Sequence, residues 1–233
     1  MIHHITYASD NMTISGGKCC ESAIKYGANK TKLYRPSDID AKFYKENKTI
    51  LDSERGAGYW LWKSYVINDA LSKIEYGEIL CYTDAGVLFE NSIKLLLDQM
   101  QGDIMVFGNR WIHKDWCKMD VLRAMGCEQY ADKEQLQASC IIVRKSDESI
   151  KFIDRWLMFC QLPGFIDDSP SQLPNLSGFR EHRHDQSILT NLAYSSGLHI
   201  HFWPAQYNVR HRHNYKETYP VMFQHHRKRN HEW

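Results

Sequence analysis

Short apolar runs alternate along this chain with stretches of helical periodicity, and that alternation restricts the fold more than any other feature. Ile2–Ala8, Glu78–Thr83 (EILCYT), Asp103–Phe107 (DIMVF), Ser139–Val143 (SCIIV) and Leu198–Trp203 read as strands. Glu78–Thr83 and Asp103–Phe107 are apolar enough to be buried. Between the strands lie predicted helices. Over Gly58–Ile74, Trp62, Val66, Ala70 and Ile74 share a stripe, with Tyr59 and Leu71 beside it and Gly77 as the stop. Ser92–Met100 and Lys114–Met125 also read as helical. Asp147–Cys160 is amphipathic with Ser146 as its N-cap, and Asp185–Ser195 is closed by Gly197. The pattern predicts an α/β, Rossmann-like domain: a mixed, mostly parallel sheet flanked by helices, with ligands bound beyond the carboxyl ends of the strands. With no internal repeat and 43% hydrophobic residues in 233, a single domain over residues 1–233 is expected. The Pro-, Ser- and Asp-rich stretch 163–178 reads as a loop near a binding site rather than a domain boundary.

Charge narrows the function classes. Lys+Arg total 29 against 28 Asp+Glu, which excludes a chain-wide polycation for nucleic acid or membrane surfaces. The balance hides a skew, since nine of the twelve His lie at or after His182, and residues 204–233 hold six Lys/Arg, two acids and five His. The opening MIHHITYASDN lacks the pattern of a secretory signal, and no run approaches the roughly 18–20 apolar residues of a membrane span. Seven scattered Cys without a C-x-x-C suit a reducing compartment, so a cytoplasmic protein without a transmembrane segment is expected.

Four segments carry candidate chemistry. In Gly77–Phe89 (GEILCYTDAGVLF) a strand runs into Asp84 and the small pair Ala85-Gly86. A carboxylate at a strand end can hold a divalent cation that bridges a diphosphate, and Gly86 lets a ligand approach the backbone; a turn aspartate gives the same pattern. In Arg55–Lys63 (RGAGYWLWK), Arg55 and Lys63 are phosphate-binding types, whereas Trp60 and Trp62 read first as core. The P-loop pattern is absent. In Glu181–Leu192 (EHRHDQSILTNL), Asp185 and Gln186 open a helix, either as a cap or as groups facing a sugar hydroxyl. A kinase loop does not fit, because Thr190 stands where Asn is required. The tail Tyr219–Asn230 (YPVMFQHHRKRN) offers imidazoles for a metal and cations for phosphate, or a basic arm. His199 and His201, two apart in a strand, share a face and read as packing residues before metal ligands.

Taken together, these segments resemble a family of small GT-A-fold glycosyltransferases from bacterial polysaccharide-synthesis clusters and large DNA viruses. The likeness runs from ITYASDN (5–11) through RGAGYWLWK (55–63), YTDAG (82–86), QASCIIVRK (137–145) and HRHDQSIL (182–189) to YPVMFQHHRKRN (219–230). It implies an enzyme that moves a sugar from a UDP- or GDP-linked donor to a glycan or other hydroxyl acceptor, without a nucleic-acid partner. It implies a nucleotide-donor half over about 1–110, and an acceptor half with the tail over about 111–233. It puts Thr6, Tyr7 and Ala8 near the base, with Tyr7 as a stacking ring. Asp84, Ala85 and Gly86 stand in the place of the DXD motif, whose second acid this chain lacks. Asp84 with His225 or His226 is implied as the Mn²⁺ or Mg²⁺ site, and Arg227 as a phosphate contact. Arg55, Trp60, Lys63, Thr83, Ser139 and Gln186 complete the implied donor site. Asp185 is the first candidate for general base and His184 the second. The loops 163–181 and Asn109–Trp116 are expected to shape specificity. A sugar-binding domain without activity and a nucleic-acid module built on the tail are the alternatives.

Overall fold

A computed structural model of the chain describes residues 1–208 and 216–233. The expected architecture is present: a six-stranded mixed sheet covered by helices. Its strands are β1 (Ile2–Tyr7), β2 (Lys30–Tyr34), β3 (Ile79–Thr83), β5 (Ile104–Ile112), β6 (Glu134–Arg144) and β7 (Ile200–Phe202), in the spatial order β2-β1-β3-β6-β5-β7. β1 pairs in parallel with β2 and β3, and β5 with β7; β6 runs antiparallel between β3 and β5. A second sheet of two strands joins β4 (Val87–Phe89) to β8 (Phe223–His225), which brings the C-terminal segment beside the end of β3.

Parallel neighbours need crossovers, and helices supply them. α1 (Thr13–Lys25) links β1 to β2; α2 (Ala41–Glu46), α3 (Lys48–Leu51), α4 (Gly56–Tyr59) and α5 (Leu61–Ser72) lie between β2 and β3. α6 (Lys94–Leu97) and α7 (Met119–Ala124) flank β5, while α8 (Asp147–Cys160) and α9 (His184–Ser195) lead from β6 to β7. Two cores result. α5, α8 and α9 bury Val66, Ile67, Trp156 and Leu189 against Leu80, Val106 and Ile141. Cys81, Met105 and Ile142 on the same strands join Phe89, Trp203 and Phe223 in the other core. Residues that alternate along β3, β5 and β6 thus serve both cores, which is why these strands read as continuous apolar runs.

The expected elements are present with shifted bounds. Asp147–Cys160 is helical as read, and Ser146 caps it, its Oγ accepting from the Ser149 amide at 3.2 Å. The helix expected over Gly58–Ile74 is interrupted, because Ala57, Tyr59 and Trp60 take left-handed conformations before α5 begins at Leu61. Of Ser92–Met100, only Lys94–Leu97 is α-helical; i→i−3 bonds at Leu95, Gln99 and Met100 tighten the flanks. Of Lys114–Met125, only Met119–Ala124 is α-helical, with the Asn175 side chain capping the Met119 amide at 2.8 Å. All seven cysteines are free thiols. Among the described residues, no helix is long and apolar enough to cross a membrane.

Candidate active site

β3 delivers Asp84 to the carboxyl edge of the sheet, and the Asp84 amide bonds back to the Ser139 carbonyl at 2.9 Å. The broken helix entry sets Lys63 in the first turn of α5, and α9 opens with His184 and Asp185. These elements converge on one cluster. The Lys63 ammonium lies 3.2 Å from Asp84 Oδ1 and 3.2 Å from Asp185 Oδ2, and Tyr82 donates to Asp84 Oδ1 at 2.5 Å. Lys63 and Asp185 are buried; Asp84 is partly open to the cleft.

One ammonium therefore balances two carboxylates. Burial opposes the charge on Lys63, but Asp185 and Asp84 outweigh it and hold the amine above its ordinary value. Burial raises Asp185 to about 6, with the Asp84 charge adding to the rise against the pull of Lys63. His184 Nδ1 donates to the Ile166 carbonyl at 2.8 Å, so the lone pair resides on Nε2. That Nε2 is buried without a hydrogen bond, and burial lowers the ring's pKa.

The cluster forms the floor of a cleft of about 860 Å³. Arg55, Trp60, Ser139, Gln186, His225, His226 and Arg227 line it, as do Arg110 and Arg183. An adjoining hollow of about 480 Å³ shares Trp60, Asp84 and the His225–Arg227 segment, and adds Tyr7, Ala8, Ala85 and Gly86. Strain collects around these cavities. Besides Ala57, Tyr59 and Trp60, both Arg110 (φ 75°) and His184 (φ 48°) are left-handed, a conformation that costs an L-residue roughly 1–2 kcal/mol.

The structure thus gathers most of the expected residues and modifies several readings. The side chains of Thr6 and Thr83 do not reach the cleft. Thr6 is fully buried, and Thr83 Oγ1 bonds inward to His4 at 2.9 Å. The Tyr7 ring is stacked on Trp62 at 3.9 Å, so that face is already engaged by protein. Trp60, read first as core, lines both cavities and stacks on His184 at 5.1 Å. Arg55 reaches the cleft but is tethered to Asp168 at 3.5 Å and Glu181 at 3.0 Å. That tether draws the 163–178 loop to the site. Arg110, Trp111, Trp116, Gln135, Gln137, Arg183 and Tyr207 also line the cleft but were not singled out as contacts. Asn109–Trp116, expected as a specificity loop, is instead the end of β5 followed by a short 3-10 turn, and it carries Arg110, Trp111 and Trp116; Arg183 and Gln137 lie in segments already marked, whereas nothing in the sequence marks Gln135 or Tyr207.

The tail forms a wall of the site. The His226 amide donates to the Gly86 carbonyl at 2.7 Å, and a Cβ on Gly86 would lie 2.4 Å from the His226 carbonyl oxygen. Farther on, Asn230 accepts from the Ile14 amide at 2.9 Å and donates to the Asp10 carbonyl at 2.7 Å. Residues 209–215 of the basic, His-rich stretch, with His211 and His213, lie outside the described residues.

The donor set suits a cation at Asp84 in its chemistry. Asp84 Oδ1 is taken by Tyr82 and Lys63, whereas His226 Nε2 is buried without a hydrogen-bond partner and faces the same cavities. Burial keeps His225 and His226 below the ordinary imidazole range and hence neutral at pH 7, but the Lys228 amide donates to His226 Nδ1 at 3.1 Å, so Nε2 carries that ring's hydrogen and ligation through it requires the bond to Lys228 to break. Asp84, His225 and His226 are not gathered as tightly as His199, His201 and Glu217, whose ligand atoms all lie within 4.8 Å of one another.

A Rossmann-like sheet with an antiparallel strand inserted at its centre has known counterparts. The fold is that of the GT-A glycosyltransferases. The galactosyltransferase LgtC, solved with donor and acceptor sugar analogs, matches 96% of this chain and 86% of its own at 14% identity, with a TM-score of 0.55. A glycosyltransferase involved in glycosylation of the major capsid of PBCV-1 matches 96% of this chain and 92% of its own at 12% identity, again with a TM-score of 0.55. The bifunctional glycosyltransferase WbbM matches 87% of this chain at 12% identity and a TM-score of 0.53, and the match spans 38% of the WbbM chain. No protein-family model and no curated protein matches the sequence.

Proposed function

We propose that this chain is a nucleotide-sugar-dependent glycosyltransferase, moving a sugar from a UDP- or GDP-linked donor to a hydroxyl of a glycan acceptor. The observation that supports it best is the Lys63–Asp84–Asp185 cluster at the carboxyl edge of a GT-A sheet, on the floor of a cleft rimmed by Arg55, Arg110, Arg183 and Arg227. Glycosyl transfer from a nucleotide sugar builds negative charge on the leaving diphosphate, and preorganised cations lower that barrier.

The roles follow from position. The hollow beside Tyr7, Ala8, Ala85 and Gly86 takes the nucleoside, with the small Ala85 side chain leaving room near the backbone, while Gly86 admits the His226 carbonyl of the tail. Arg227 contacts the diphosphate from the tail side. Asp84, with His225 or His226, would hold a Mn²⁺ or Mg²⁺ ion, which when bound would supply positive charge against the diphosphate. Lys63 keeps Asp84 and Asp185 in place and lends its positive charge to the same region. Gln186, held by Gln135 at 2.9 Å, faces the donor sugar or the acceptor. In an inverting transfer, Asp185 takes the acceptor proton; a carboxyl raised to about 6 is ionised at pH 7 yet more basic than an ordinary aspartate. His184, with its Nε2 lone pair, is the second base.

Ligand binding to the native state raises the thermal midpoint by mass action. Melting the protein with a panel of nucleoside diphosphates and nucleotide sugars, with and without Mn²⁺, tests the reading. A midpoint raised by UDP or GDP and their sugars, more so with Mn²⁺, and lost in Arg227→Ala is expected. No shift with any nucleotide overturns the proposal.

A further inference from the structure

His199, His201 and Glu217 form a second cluster, at the opposite end of the sheet from the cleft. β7 runs parallel to β5, whose carboxyl end carries Asn109 and Arg110 into the cleft, so the start of β7 points away from it. The two histidines straddle Ile200, and their ring centroids are 4.4 Å apart. His199 Nε2 lies 3.1 Å from Glu217 Oε1, and His201 Nδ1 lies 3.0 Å from the same oxygen. All three ligand atoms fall within 4.8 Å of one another. His199 and Glu217 also border a surface hollow of about 330 Å³ that shares no residue with the cleft.

Hydrogen bonding alone accounts poorly for this arrangement. His201 is fully buried, and among the described residues neither of its ring nitrogens makes a hydrogen bond, although Nδ1 is within ion-pair distance of the carboxylate. Buried polar atoms without partners are uncommon and call for an explanation. Two imidazoles and a carboxylate converging at this distance, one ring with both nitrogens buried and uncommitted, form the nitrogen and oxygen donor set that a transition metal takes.

We propose that His199, His201 and Glu217 bind one Zn²⁺ ion per chain. Zn²⁺ takes imidazole nitrogen and carboxylate oxygen at about 2.0–2.2 Å, in a tetrahedron whose edges are then about 3.3–3.5 Å. The observed 3.0 and 3.1 Å separations from Glu217 lie within a few tenths of an ångström of those edges, and the two histidine nitrogens, within 4.8 Å of each other, close the third edge by rotation of the partly exposed His199 ring. Two histidines and one glutamate leave the fourth position to water, and the hollow beside His199 and Glu217 gives it access to solvent. The ion joins the edge strand β7 to residue 217, on the segment that leads into β8 and its His225. That link ties the edge of the main sheet to the C-terminal segment that walls the cleft. The inference rests on a different observation from the glycosyl-transfer reading and stands without it.

Chelator-stripped full-length protein titrated with Zn²⁺ is expected to bind one ion, and to gain roughly 5–10 °C in thermal midpoint at a hundredfold excess over Kd. Co²⁺ in place of Zn²⁺ should give the strong visible bands of a tetrahedral N/O site. His199→Ala, at a partly exposed position, and Glu217→Gln should both lose the ion and the bands, while circular dichroism shows that they remain folded. Asp84→Asn should retain both. Absence of stoichiometric binding by the wild type overturns the proposal. So does binding that survives both cluster substitutions, or binding that is lost only in Asp84→Asn, which would place the ion in the cleft.

Discussion

Asp185 is the residue on which acidity, stability and activity meet. Its carboxyl is buried beside a second acid, and burial raises it to about 6. A base must be ionised, so kcat/KM is expected to rise with pH through about 6 and level off above it. Asp185→Asn should remove that limb and lower the rate about 10²–10⁴-fold. The stability effect has the opposite sign. A carboxyl whose folded pKa exceeds its unfolded value favours folding below the unfolded pKa, and that contribution fades as pH rises through the folded value. Denaturant melts between pH 4 and 7 should therefore shift relative stability towards Asp185→Asn, by up to about 3 kcal/mol. Lys63→Met leaves two carboxylates facing each other without the ammonium, and a loss of about 3–5 kcal/mol in chemical unfolding is expected. Adding Asp185→Asn to Lys63→Met should recover part of it; no recovery would mean that the cost is packing rather than charge. The sequence marked all three of these side chains as separate candidates. It could not show that they meet, because contacts between residues 63, 84 and 185 are set by the crossing of α5, β3 and α9.

At the scale of elements, legibility followed burial. β3, β5 and β6 are covered on both faces, and their apolar cores were readable at once. β2 (KTKLY) is a polar edge strand, and α1 carries Gly16-Gly17 in its middle, so neither announced itself. The entry to α5 shows a different failure of pattern reading. The apolar stripe predicts one helix from Gly58, but the chain is left-handed at Ala57, Tyr59 and Trp60 there, and Gly58 (φ 100°) packs where a Cβ would lie 2.8 Å from Leu51 Cα. Periodicity does not encode a kink whose function is to present Trp60 and Lys63 to the cleft. Two substitutions separate helix stability from site architecture. Ser146→Ala removes the cap of α8 and should cost about 1 kcal/mol in thermal or chemical melts, without changing nucleotide binding. Gly86→Ala drives a methyl into the His226 carbonyl, so it should displace the tail from β4 and weaken nucleotide binding at least tenfold, read by calorimetry. Undiminished binding in Gly86→Ala would separate the tail from the site.

For the molecule as a whole, the near-zero net charge conceals an organised distribution. Arginines from α4's entry, β5, the start of α9 and the tail converge on the cleft, while acids from α9, β3 and the 163–181 loop balance them. The fold class and the gathering of tail and strand-end aspartate were readable from strand–helix alternation and motif order. The shape of the cleft was not, because the side chains of Arg110 on β5, Arg183 before α9 and Tyr207 are brought together by tertiary packing that composition does not encode. Because the tail is pinned through His226, Asn230 and Trp233, truncation before His225 should abolish activity while leaving the sheet cores folded. The most direct measurement is donor turnover by the purified protein, with UDP- and GDP-sugars, Mn²⁺ and a panel of hydroxyl acceptors, reading nucleoside diphosphate release. Wild type should turn over at least one donor, slowly without acceptor, and Asp84→Ala should lose that turnover about 100-fold or more. Failure of the wild type to release diphosphate from any donor, or equal release by Asp84→Ala, would contradict the assignment.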